Sequence, residues 1–184
     1  QLLYDALYHS VSGTIDELTA DTKHLGAKVG YICVLHTWGS EMNYHPHIHV
    51  ILLGGGLTAK NQWRDKGEEF FLPVKVISKL FRGKYMAELK ALYEAKKLQF
   101  HGSSEKYHNR YAFKELLNIC YEKEWVPHCK KTFNGAQSVI NYLGKYTHRI
   151  AISNHRIIRM DEDSVTYHVK DYRDEGKWKE FTIS

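Results

Sequence analysis

From Asn43 the sequence runs NYHPHIHVILLGGG, which sets His45, His47 and His49 at alternate positions ahead of an apolar run and three glycines. In an extended strand, residues two apart share a face, with Cα atoms about 6.6 Å apart. His47 and His49 therefore point the same way, and their imidazoles can converge on one ion. Their face continues as Ile51 and Leu53, while Ile48, Val50 and Leu52 line the other. A strand apolar on both faces is expected to be central and buried. The plainer reading of the same spacing is a pair of satisfied structural histidines. His45 is expected to be structural or to support the other two. His36, on the preceding strand-like segment, is the first choice for a third ligand. Two or three imidazoles with open positions suit a catalytic ion whose shell is completed by phosphate oxygens of a substrate. Zinc tolerates the same ligands, so ligand type does not name the metal.

A second set lies in AQSVINYLGKYTHR, residues 136–149. At about 100° per residue, Ala136, Val139, Ile140, Leu143 and Thr147 form the expected core stripe. Tyr142 and Tyr146 are four apart and so neighbours on its flank, with Arg149 on the same arc and Lys145 just beyond. A phenol, with pKa near 10, is a poor nucleophile at neutral pH. Adjacent positive charge favours the phenolate and also holds a phosphate, which makes Lys145 and Arg149 candidate phosphate contacts. With a metal ion polarising a phosphodiester, the chemistry indicated is attack of tyrosine on phosphorus. Two tyrosines would allow two successive attacks. The plainer reading is two amphipathic edge residues of a core helix, in a chain that holds 13 tyrosines.

These residues need a scaffold. The 184 residues suffice for one domain with a real core, and 43% hydrophobic against 26% charged is a globular profile. No apolar run approaches the roughly 18–20 residues of a membrane span, and no signal-peptide pattern is present. Cys33, Cys120 and Cys129 form neither a disulfide framework nor a CxxC pair, which points to a reducing, cytosolic setting. Lys and Arg outnumber Asp and Glu by 17 to 6 over residues 75–159, whereas residues 1–74 hold 5 against 8 and the last 25 hold 4 against 7. A basic middle suggests a surface for a polyanion, or else a solvated lysine-rich helix.

Leu3, Leu7, Val11, Ile15 and Leu18 predict a helix over residues 1–20. YICVLHTW and HIHVILL predict an antiparallel hairpin turning at Gly39-Ser40 and closed off at Gly54-Gly55-Gly56. LPVKV reads as a short edge strand. Ile77, Leu80, Phe81, Tyr85, Leu89 and Leu92 mark a long helix whose other side carries Lys79, Arg82, Lys84, Lys90, Lys96 and Lys97. A helix follows around Tyr111–Tyr121, then a short strand at EWVPHCKKTF broken by Pro127, then the tyrosine helix. IAIS, RIIRM, SVTYHVKDY and WKEFTIS read as strands. The class expected is α+β. The start at Gln1 reads as mid-helix, so the chain is expected to be a fragment of a longer protein.

The segments VLHTWGSEMNYHPHIHVILLGGGL, FFLPVKVISKLFRGKYMAELK, EWVPHCKKTFNGAQSVINYLGKYTHRIAISNHRI and VTYHVKDYR together resemble the two-tyrosine HUH transposases of the insertion sequence 91 family. The likeness covers nearly the whole chain. It implies one HUH nuclease domain over residues 1–184, with a central antiparallel sheet, packed helices and C-terminal β-hairpins. By that resemblance His47 and His49 match the HUH motif, and Tyr142 and Tyr146 match the tyrosine pair. The implied activity is single-strand DNA cleavage and strand transfer in rolling-circle transposition, through a 5′-phosphotyrosine and a divalent ion, Mg2+ or Mn2+. The implied partners are single-stranded transposon ends and target, with no membrane, in the bacterial cytoplasm at the nucleoid. An N-terminal zinc-binding domain usual in the family would lie outside this chain. Trp38, Trp63 or exposed tyrosines could stack bases. A replication initiator or relaxase would share the chemistry. A non-catalytic nucleic-acid-binding module would not form covalent adducts, and a zinc hydrolase would need a glutamate base, for which Glu41 is nearest in sequence.

Overall fold

A computed structural model describes residues 1–67, 72–130, 136–147, 152–171 and 174–184; for residues 136, 138 and 145–147 it describes the backbone alone. The fold is α+β, as expected. Its elements in order are α1 (Leu2–Ala20), β1 (Lys28–Trp38), β2 (Tyr44–Leu57), β3 (Trp63–Asp65), α2 (Val74–Glu94), α3 (Arg110–Glu122), α4 (Ala136–Thr147), β4 (Ile157–Met160), β5 (Val165–Asp171) and β6 (Lys177–Ile183). Two three-stranded sheets are ordered β1-β2-β3 and β4-β5-β6. The chain divides into two compact units, residues 1–32 with 51–132 and residues 33–50 with 133–184.

In the first unit, α1 buries Ile15 and Leu18 of the predicted stripe, but toward its start the buried face shifts to smaller residues. Ala6, Ser10, Thr14 and Leu18 face inward, while Leu3 is 46% exposed. The buried hydroxyls are satisfied within the helix, Ser10 donating to the Ala6 carbonyl (2.7 Å) and Thr14 to that of Ser10 (2.6 Å). Small side chains let a neighbour approach closely, and Lys84 of α2 passes over Gly13 to pair with Glu17 at 2.8 Å. Lys84 is thus an internal partner rather than a bare cation. Arg82 is similar, donating to the carbonyls of Tyr121 (2.8 Å) and Lys123 (3.0 Å). Part of the basic side of α2 is therefore structural.

LPVKV is not a strand. Pro73 caps α2 with φ −63°, and its carbonyl accepts from the amides of Val76 and Ile77. Proline suits a helix start because no intrahelical partner is lost there. Residues 123–130 likewise form no strand, and the rest of that segment lies outside the described residues. Asn109 caps α3, its side chain accepting from the amides of Tyr111 and Ala112.

The glycines do not close β2 but lie inside it. A Cβ on Gly56 would come 2.2 Å from the Lys28 carbonyl, and one on Gly55 would meet Trp63, Arg64 and Asp65. β2 is central, as expected, and only glycine lets β1 and β3 press on it from both edges. Its sides are half-buried rather than fully buried, with Leu53 53% exposed. Leu25, Ala27 and Val29 form the core beside it, packed by Leu52.

In the second unit, β5 pairs with both β4 and β6, giving the predicted C-terminal hairpins. Tyr167 is 1% exposed and packs on Phe181. Its hydroxyl donates to the Glu41 carbonyl (3.1 Å), and Arg156 Nη2 donates to that of Ser40 (3.0 Å). Both tie the C-terminal sheet to the turn between β1 and β2. That turn needs the clamp, because Met42 sits in it at φ 60°. The predicted strand at IAIS lies partly outside the described residues; its last residues form no strand.

Candidate active site

All the site residues described here belong to the second unit. β2 presents His47 and His49 from one face, both half-buried, and β1 presents His36, 7% exposed. One ring nitrogen from each lies within 4.8 Å of the others. His47 Nδ1 is 2.8 Å from the His45 carbonyl oxygen, which can only accept. Nδ1 therefore carries the proton, and the lone pair of the neutral ring is on Nε2. That Nε2 stands 3.0 Å from Nε2 of His49. His45 thus supports its neighbour through its main chain, while its own side chain is exposed.

On its other side, His49 Nδ1 lies 3.0 Å from the Tyr142 hydroxyl of α4. The Trp38 ring stacks on His36 at 4.8 Å and 14°, bracing the third imidazole. Trp38 is on the same face of β1 as His36, two residues along. Burial, reinforced by His36 and His47, holds the His49 pKa at about 4. Burial also lowers that of His47, outweighing the opposing hydrogen bond to His45. Both rings are therefore neutral at pH 7, which is the ligating form.

These residues fit a divalent ion. Two nitrogens held by one ion at about 2.1 Å and at right angles stand about 3.0 Å apart, the spacing found between His47 and His49. Among the described residues no Asp or Glu joins the cluster, so Glu41 offers it no general base. Glu41 instead lends its carbonyl to Tyr167.

Of the residues singled out from sequence, His36, His47, His49 and Tyr142 come together. Tyr146 and Lys145 lie in α4, but their side chains are outside the described residues, as is Arg149 entirely. Trp63 lies in the first unit on the edge strand β3, 59% exposed, its indole donating to Asp65. The expected core stripe of α4 is incomplete, since Ile140 is 58% exposed. Arg156 and Tyr167, which fix the turn between the histidine strands, carried no local signal because their partners are distant main-chain carbonyls.

A family model described as "Putative transposase" matches residues 30–184. The chain belongs to this transposase family. It is 39% identical over 184 residues to the "Putative transposase y4qJ" of Sinorhizobium fredii, covering all of this chain and 46% of that protein. It is 25% identical over 155 residues to the transposase for insertion sequence element IS801 of Pseudomonas savastanoi pv. phaseolicola, covering 84% of this chain and 36% of that one. The chain thus spans less than half the length of these curated transposases. No solved structure matches it. Among the described residues, no helix is long and apolar enough to cross a membrane.

Proposed function

We propose that this transposase-family chain is a metal-dependent endonuclease and strand transferase acting on single-stranded DNA in rolling-circle transposition, through a 5′-phosphotyrosine. The observation that carries the reading is the 3.0 Å approach of the Tyr142 hydroxyl to a ring of the imidazole triad. A structural histidine pair would need no phenol there, whereas a nucleophile must stand beside the group that activates the phosphate.

His36, His47 and His49 would hold a divalent ion, Mg2+ or Mn2+, which supplies Lewis-acid polarisation of the phosphodiester. Tyr142 is the nucleophile. Its oxygen bonds to phosphorus, the bond from phosphorus to the 3′-oxygen breaks, and that oxygen leaves as a hydroxyl while the phenol gives up its proton. The product is a 5′-phosphotyrosine and a free 3′-end. Tyr146, or the 3′-hydroxyl of another strand, resolves the link. His49 orients the Tyr142 phenol, and Lys145 and Arg149 are assigned to phosphate contacts. Positioning and charge carry most of the rate. Residues 1–184 are read as one catalytic domain, working on transposon ends and target in the bacterial cytoplasm.

Incubation of Tyr142→Phe, Tyr146→Phe and the double variant with a labelled single-stranded transposon end tests this. The wild type should form a covalent adduct that survives denaturing electrophoresis, and the double variant none. An adduct of undiminished yield in the double variant would refute the nucleophile assignment. His47→Ala should abolish manganese-dependent nicking.

A further inference from the structure

The second unit holds a cavity apart from the imidazole triad. Its volume is about 380 Å³, and His155, Arg156, His168 and Trp178 wall it. That volume matches small-ligand sites, about 300–1,000 Å³, but the depression is open to solvent, so an occupant would lie against it with one side exposed. The register of the C-terminal sheet explains the walls. Tyr167, Val169 and Phe181 face the core, and the opposite face carries His168 and Lys170 from β5 with Glu180 and Trp178 from β6. His168 pairs with Glu180 and Lys170 with Trp178, so His168 and Trp178 are diagonal neighbours. Their rings stand 6.3 Å apart at 76°.

The indole is 60% exposed, on the outer face of the edge strand β6. A flat ring held at one edge by an imidazole leaves a face on which another ring can stack. Arg156 closes the rim with its guanidinium fixed by two carbonyls, those of His168 (2.7 Å) and Ser40 (3.0 Å). It thus sets a positive charge beside the cavity without collapsing into it. His155, whose Nε2 lies 3.3 Å from Ser153 Oγ, and His168 offer ring nitrogens that can donate or accept. Aromatic walls with a single fixed guanidinium suit a neutral, flat, hydrogen-bonding group better than a bare phosphate, which calls for several cations. Ser40, gripped by Arg156, lies four residues beyond His36 along the chain.

We propose that this cavity receives one unpaired base of the single-stranded DNA substrate, stacked on Trp178 with its edge toward His155 and His168. The identity of the strand rests on the function proposed above; the base-binding site rests on the cavity itself. Stacking of this kind is sequence-tolerant, because every base offers a π-face.

The test is fluorescence anisotropy of the protein with labelled oligonucleotides. Wild type, Trp178→Ala, Trp178→Phe and His168→Ala are titrated with a transposon-end strand, and with versions carrying one abasic site at successive positions. Trp178→Ala should weaken binding by about 10- to 100-fold, and Trp178→Phe by much less. One abasic position should weaken wild type by a similar factor while leaving Trp178→Ala indifferent. Circular dichroism melts of each variant identify loss of folding, and Trp178→Phe, which keeps a ring, carries the comparison if Trp178→Ala unfolds. Equal affinities for wild type and variants, an abasic penalty that persists in Trp178→Ala, or no binding of single strands by wild type would each overturn the site. A wild type that forms no covalent adduct, yet binds strands through Trp178, would instead overturn the catalytic reading and leave the base site standing.

Discussion

His49 uses both ring nitrogens, one toward His47 and the other toward Tyr142. A histidine that binds metal through one nitrogen normally makes a hydrogen bond through the other, and losing that bond typically costs 10- to 100-fold in affinity. Tyr142→Phe should therefore weaken Mn2+ binding about 10-fold by calorimetry, with no DNA present. His47→Ala should abolish that binding. The same ring sets a pH dependence. Its folded pKa, about 4, lies below the ordinary 6.5, so between those values the unfolded chain binds more protons than the folded one. In ion-free protein, the stability tied to the neutral His49 ring should be fully present above about pH 6.5 and be lost progressively down to about pH 4. Melting curves in chelator across that range check this, and His49→Gln should flatten the dependence. The alternation of His47 and His49 was legible because a strand's period fixes which side chains share a face. The tautomer of His47 was not, because it depends on a carbonyl whose direction follows from the fold.

The elements were legible wherever periodicity ran long. α1, the long helix α2, α3, α4 and the C-terminal strands stand near their expected places. The misreadings came from residues that serve two conformations. Pro73 can end a strand or start a helix, and the helical run from Val74 decides it. The three glycines after Leu53 looked like a stop, yet they let neighbouring backbones close on a central strand. The two kinds of glycine are separable by experiment. Gly56→Ala would force a methyl to 2.2 Å from the Lys28 carbonyl, and it should destabilise the chain by about 3 kcal/mol or more, or prevent folding. Gly54, with nothing within 4 Å of a Cβ, should accept alanine within about 0.5 kcal/mol. Urea melts of both variants provide the comparison.

Over the whole molecule, the excess of Lys and Arg over residues 75–159, 17 against 6 Asp and Glu, suggested a polyanion surface across the basic middle. The fold qualifies that by assigning some of those charges to other duties. Lys84 is held by Glu17, and Arg82 by two carbonyls. Each lysine that contacts phosphate on a single strand contributes about 0.7 to the slope of log affinity against log salt. Lys84→Ala should leave that slope unchanged, and a fall of about 0.7 would place Lys84 on the DNA. The first two ligands and the phenol were visible as local patterns in the sequence. The support of the histidine turn was not, since Arg156 and Tyr167 lie more than a hundred residues from Ser40 and Glu41.

Those two clamps bear on protein engineering. A designer who grafted residues 33–50 onto a foreign scaffold would import all three imidazoles but leave behind the grip that steadies a loop with Met42 in a left-handed conformation. The transplanted ligands would then have to be ordered by the ion itself, and affinity would fall accordingly. A graft that also carries residues 156–171 would bring its own brace, so the smallest portable form of the imidazole cluster in this chain is discontinuous.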